Sequence, residues 1–289
     1  MHYTADNLII RSQDTGGPGI FARVDAQQAG WEYLNMAALR LNADQRYSGE
    51  VGSHEHVSVI LGGRCNFRSS AGDFLDIGGR ADVFSGMPWA VYLPRGTRFE
   101  IEALTDGFEI ASCWVPTDRD TPAQLVTPAD SAVEIRGGGN ATRQINSILP
   151  PGFNCHRLVC VEVYTPSGSW SSYPPHKHDV HREAADGTLI EADLEEIYFY
   201  KIDRPEGYAY QRVYTDDRRI DALMLAQNHD AVLVPEGYHP VVSAPGYTTY
   251  YLNFLAGSAQ SLANSDDPAY AWVKHAWGAP DPRLPIVKP

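Results

Sequence analysis

Turn-forming residues punctuate this chain from end to end. Gly, Pro and Asp clusters recur roughly every 8 to 15 residues, and the segments between them are short and rich in Val, Ile, Tyr, Phe and Trp. Val57-Ser58-Val59-Ile60-Leu61 runs into Gly62-Gly63, Ala90-Val91-Tyr92-Leu93 into Pro94-Arg95-Gly96, and Ala231-Val232-Leu233-Val234 into Pro235-Glu236-Gly237. Short β-branched and aromatic segments between such turns predict an all-β sandwich or barrel. Helical periodicity is local, and the two expected helices are 140–149, after Gly137-Gly138-Gly139, and 267–275, whose Asp-Pro start suits an N-cap followed by proline.

At 289 residues the chain suits two domains of ordinary size or one large one. The halves repeat a layout. Gly52-Ser53-His54-Glu55-His56 precedes an apolar strand and Leu93-Pro94-Arg95-Gly96-Thr97-Arg98 follows; the second half has His176-Lys177-His178 and then Val234-Pro235-Glu236-Gly237-Tyr238-His239. Superposed on Pro-x-Gly, Arg98 falls where His239 lies, and no Glu follows His56 within its strand. The reading is a tandem duplication, with a degenerate copy at 1–135 and a metal-binding copy at 136–289.

Acidic residues outnumber basic ones 36 to 23, for a net charge of −13, and no Lys/Arg cluster breaks the trend. A nucleic-acid surface is therefore not expected. No apolar run approaches the roughly 20 residues of a membrane span, and the start lacks a basic region followed by an apolar stretch, so no membrane partner and a cytoplasmic location are expected. Cys65, Cys113, Cys155 and Cys160 are irregularly spaced, with no Cys-x-x-Cys pair, and read as free thiols.

His176 and His178 are alternate residues of one extended segment, so they can share a face and reach one ion. With Glu196 at the start of an aromatic run and His239 after Pro-x-Gly, the order of ligands is that of a cupin barrel. Imidazole and carboxylate without thiolate suit a divalent ion, with zinc or manganese foremost. Alternation alone pairs Glu195 with Ile197 and Phe199, and Glu196 with Leu194, Tyr198 and Tyr200. A tyrosine-lined sugar cavity favours Glu196 as the inward carboxylate, with Tyr198 beside it. The stretch 179–193 reads as a polar loop in which His181 is solvated, and His54 and His56 read as structural. Arg212, a long cation in the aromatic strand Tyr208-Ala209-Tyr210-Gln211-Arg212-Val213-Tyr214, needs a partner if buried: a substrate carboxylate, or an acid such as Asp216 or Asp217.

These residues, together with Trp170-Ser171-Ser172-Tyr173-Pro174-Pro175, Gln211-Arg212-Val213-Tyr214-Thr215-Asp216-Asp217 and Gly246-Tyr247-Thr248-Thr249-Tyr250-Tyr251-Leu252-Asn253, give a chain that resembles the 5-deoxy-glucuronate isomerase family of myo-inositol breakdown, over nearly its whole length. It is also similar to uronate ketol isomerases of the bicupin type. The resemblance implies a bicupin fold and a metal-dependent aldose-ketose isomerase that converts 5-deoxy-glucuronate to 5-dehydro-2-deoxy-gluconate. It maps the metal ligands onto His176, His178, Glu196 and His239. The expected chemistry is Lewis-acid polarisation of the substrate's oxygens, with Tyr198 near the moving proton and Arg212 on the distal carboxylate. A homo-oligomer is a possible assembly. Two other readings share the same ligands: a cupin dioxygenase and a non-catalytic sugar-binding bicupin.

Overall fold

The structure, a computed structural model, describes residues 1–288. Its regular secondary structure is almost wholly antiparallel strand, in two barrels that each pair a large sheet with a four-stranded one. In the first, the large sheet runs Gln124–Val126, Trp89–Leu93, His54–Gly62, Phe108–Pro116, Asn35–Leu41, Gly19–Val24, and it faces Arg46–Glu50, Arg98–Ala103, Arg64–Ser69 and Phe74–Gly78. In the second, the order Ala231–Val234, Leu189–Ile202, Thr249–Gly257, Val159–Thr165, Arg143–Leu149 repeats the first sheet from Trp89–Leu93 onward; Trp170–Ser171, Val241–Ser243, Tyr208–Tyr214 and Asp221–Gln227 lie opposite. This is the all-β class expected from the turn spacing, in the tandem cupin arrangement that the resemblance implies.

Strands are exchanged at the margins. Ile9–Ile10, from the start of the chain, pairs with Ala231–Val234 of the second barrel, and Ala132–Arg136 extends the second sheet beyond Arg143–Leu149. The point 135/136 thus falls inside a strand. Among the described residues no helix is long and apolar enough to cross a membrane.

Two expected elements differ. Arg143–Leu149 is a strand, preceded by a single 3-10 turn at Gly139–Ala141. Its β-branched Ile145 and Ile148 are held by hydrogen bonding to strands on both sides, which outweighs any local helical preference. The polar stretch after His178 is a hairpin: Asp179–Glu183 folds back on the first residues of the 14-residue strand Leu189–Ile202. Near the C-terminus the helical segment is the 3-10 stretch Ala271–Ala276.

The barrels meet through their large sheets. Val57, Val59 and Leu61 of the first and Ile197 and Phe199 of the second belong to one buried cluster, while Ile60, Val91, Leu93 and Ile110 fill the first barrel's interior. At the edge of this shared core lies a reciprocal pair of carboxylate clasps. Glu195 accepts hydrogen bonds from the backbone amides of Glu32, Tyr33 and Leu34, which lead into Asn35–Leu41. Glu55 accepts from the amides of His156, Arg157 and Leu158, which lead into Val159–Thr165, and from the hydroxyl of Tyr92.

The registers place the repeat. His56 pairs with Leu93 just before Pro94, and Glu196 pairs with Val234 just before Pro235. His56 is therefore the counterpart of Glu196 and Glu55 that of Glu195, while Arg98 does correspond to His239. The alignment of His54-Glu55-His56 with His176-Lys177-His178 was one strand out, because the hairpin after His178 separates that pair from the strand it seems to introduce. The four cysteines are free, with Cys65, Cys113 and Cys160 buried.

Glu55 is fully buried. Replacing it with Ala orphans three amides and a hydroxyl, and should lower unfolding free energy by about 3 to 5 kcal/mol. Glu55→Gln, which keeps one carbonyl acceptor, should lose less. Denaturant midpoints of the two variants check this.

Candidate metal centre

Adjacent residues of a strand face opposite ways, and the long strand Leu189–Ile202 uses both faces. Glu195, Ile197 and Phe199 turn toward the first barrel, whereas Glu196 and Tyr198 turn into the second. The apolar company of Glu195 is thus the core between the barrels, not the cavity wall. Glu196 is the carboxylate of the site.

Three side chains converge there: His178, Glu196 and His239 each offer a ligand atom, all within 4.8 Å of one another, and all three residues are buried. Nδ1 of His178 lies 2.8 Å from the carbonyl of Leu194, and Nδ1 of His239 lies 2.8 Å from the carbonyl of Gly237. A carbonyl can only accept, so each neutral ring keeps its proton on Nδ1 and turns its Nε2 lone pair inward. Those nitrogens sit 3.0 Å and 3.3 Å from the same oxygen of Glu196. The other oxygen accepts from the amide of Asn253. Lone pairs of two imidazoles facing one carboxylate oxygen repel unless something positive lies between them. Nε2 of His239 is buried and has no hydrogen-bond partner among the described residues, so the donor set fits a cation.

Backbone geometry sets the third ligand. Gly237 has φ +93°, and a Cβ there would lie 2.6 Å from the carbonyl oxygen of Tyr214. Only glycine lets this turn close and aim its own carbonyl at the His239 ring.

Electrostatics favours neutral rings at His239 and His176. Burial pushes His239 down to about 4 against the opposing pull of Glu196. Burial and the neighbouring imidazoles hold His176 well below the ordinary range. Burial also weighs most at His178, in the same direction, but the hydrogen bond and charge of Glu196 outweigh it and raise the group overall. Protons therefore compete with a cation chiefly at His178.

The other expected residues fall in three places. His176 lines the same pocket but stands outside the converging triad, its ring centre 4.8 Å from that of His239. Tyr198 is in the pocket, its hydroxyl 3.2 Å from that of Ser172; burial and the Glu196 charge push it well above the ordinary range, so it keeps its proton. Arg212 is elsewhere. It lies on the outer face of its sheet, stacked on Tyr214, with Nε and Nη2 each donating to Asp221 at 2.8 Å. His181 is largely exposed and contacts Ser258. His56, the counterpart of Glu196, is buried against Phe99 and Trp114, bonds Ser58, and is pushed down to about 3 by burial and then by His54. Asn253 and Arg143 are pocket residues that the sequence reading passed over. Asn253 closes the run Tyr250-Tyr251-Leu252-Asn253, and inward alternation from Tyr251 would have found it.

Residues 8–273 match the KduI/IolB family. The chain belongs to that family. It is 43% identical over 267 residues to a protein of Geobacillus kaustophilus named 5-deoxy-glucuronate isomerase, covering 92% of this chain and 95% of that one. A protein of the same name from Bacillus subtilis is 37% identical over 261 residues, covering 90% and 94%. The crystal structure of an IolB-like protein from Salmonella typhimurium superposes with a TM-score of 0.86 at 35% identity, covering 92% of this chain and 98% of that one. Oxalate decarboxylase from Bacillus subtilis, at 12% identity and a TM-score of 0.55 over 91% of this chain and 77% of its own, shares the fold alone. The family relatives are named for isomerisation, and neither a dioxygenase nor a non-catalytic sugar binder is among those names.

Adding zinc or manganese to chelator-stripped protein should raise its melting temperature, with the increment shrinking as pH falls from 8 to 5 because His178 takes up a proton. His239→Ala should abolish the increment. Differential scanning calorimetry at fixed metal concentration reads both.

Proposed function

We propose that this chain is a metal-dependent aldose-ketose isomerase acting on 5-deoxy-glucuronate and yielding 5-dehydro-2-deoxy-gluconate. The observation that carries the chemistry is the orphaned Nε2 of His239, aimed with that of His178 at one oxygen of Glu196. The names of the relatives supply the substrate.

His178, Glu196 and His239 would hold a divalent ion, zinc or manganese by donor type, with His176 as a third imidazole and fourth ligand. When bound, such an ion supplies Lewis acidity toward the carbonyl and hydroxyl oxygens at the reacting end of the sugar. The chain's own residues do the rest. Carbonyls of Leu194 and Gly237 fix the ring tautomers, so the imidazoles need not reorganise as charge develops. The Asn253 amide holds one oxygen of Glu196 and orients the carboxylate. Tyr198, which keeps its proton, can donate a hydrogen bond to an oxygen that becomes negative when the proton leaves C2.

Purified protein loaded with zinc or manganese should convert 5-deoxy-glucuronate to the ketose, followed by NMR. Chelation should stop the reaction and the metal should restore it. Glu196→Gln should lower kcat about 100-fold or more, with folding intact by circular dichroism. Persistence of full turnover in metal-free protein would refute the scheme.

Tyr198→Phe removes only the hydroxyl. It should reduce kcat by about 10- to 100-fold while leaving metal content unchanged, measured by steady-state kinetics and elemental analysis.

A further inference from the structure

The substrate proposed above carries a carboxylate at the end remote from its reacting carbons, and Arg212, already bridged to Asp221 outside the barrel, does not face the pocket. Another cation does. Arg143 lines the same pocket as His176, His178, Glu196 and Tyr198.

Three cationic side chains belong to buried residues: Arg80, Arg143 and Lys201. Arg80 is paired with Glu162 at 3.1 Å, and Lys201 with Glu109. Arg143 has no such partner: among the described residues no carboxylate lies within 4 Å of it, and its one hydrogen bond is a 3.4 Å contact from Nη1 to the carbonyl of Ala141. A buried guanidinium with most of its donors unspent is costly unless something anionic completes it.

The strand pairing adds a second, independent observation. Arg143 is directly opposite Arg136 across the sheet, so both side chains stand on the same face. Like charges in that relation destabilise a sheet. Arg136 is compensated by Glu134, which accepts from it twice at 2.7 Å. Arg143 is left as the uncompensated member, deeper in the barrel, and the tandem donors of a guanidinium match a carboxylate as a fork.

We propose that Arg143 binds the substrate's distal carboxylate, fixing the sugar so that its aldehyde end lies at His178, Glu196 and His239. The assignment of the carboxylate to a deoxy-uronate rests on the isomerase reading above; the anion site itself does not. It also gives selectivity: a neutral sugar leaves the guanidinium buried and unpaired.

The test compares wild type, Arg143→Met and Arg143→Lys, each with metal content and melting temperature recorded. Kinetics are measured with 5-deoxy-glucuronate and with the neutral analogue in which a hydroxymethyl group replaces the carboxylate. Arg143→Met should raise KM for the acid about 100-fold, change kcat little, and erase the preference for acid over neutral analogue. Arg143→Lys, which keeps the charge without the fork, should lie between. An unchanged KM for the acid in either folded variant overturns the proposal. Calorimetric binding of 3-hydroxybutyrate, which copies the carboxylate, methylene and hydroxyl of the substrate's tail, to metal-stripped protein separates the two readings. Saturable binding lost in Arg143→Met supports the anchor even if wild type fails to isomerise the sugar, an outcome that would sink the isomerase reading alone. Equal binding by wild type and variant overturns the anchor even if turnover is intact.

Discussion

The alternation of a single strand governs this molecule. Leu189–Ile202 has one carboxylate on each face at adjacent positions, and the two do unrelated work. Glu195 gathers three backbone amides of the other barrel, while Glu196 faces two imidazoles in its own. A slip of one residue would exchange the two faces and destroy both arrangements together. The nine-residue ladder with Thr249–Gly257 and the shorter one with Ala231–Val234 hold the register.

The same alternation lets the two barrels share a clasp while differing at the inward position. Glu55 preserves the outward clasp, matched to Glu195 in partner and geometry. At the inward position His56 replaces Glu196, and its ring is absorbed by Phe99, Trp114 and Ser58. Arg98, where His239 would be, is exposed. Structural and chemical demands fell on opposite sides of one strand, so they could diverge separately.

Much of this was legible in the chain. Recurrent turns gave the all-β class, and the order His-x-His, Glu, Pro-x-Gly-x-His pointed to the residues that converge, because such spacing reflects strands that end at one mouth of a barrel. Two features were not legible, for related reasons. Arg143 lay inside a segment read as a helix after three glycines; its inward position shows only once Arg143–Leu149 is a strand with Arg136 opposite. Arg212 looked like a buried cation because its neighbours are aromatic, but alternation puts Gln211 and Val213 inside and leaves Arg212 on the outer face with Asp221. Local composition does not say which side of a strand is covered, and tertiary packing decides it.

The clasps also bear on what the first barrel is for. Its own pocket has no ligand set like that of its twin, yet the backbone just before its strand Asn35–Leu41 is tied to the residue next to Glu196. An isolated second barrel would lose both the amides that neutralise Glu195 and the cover over Ile197 and Phe199, leaving an ionised side chain and an oily sheet face open to solvent one peptide away from the reactive centre. The first barrel thus acts as a fixed scaffold for the strand that bears Glu196, and the second barrel cut out alone would be a poor starting point for a smaller protein.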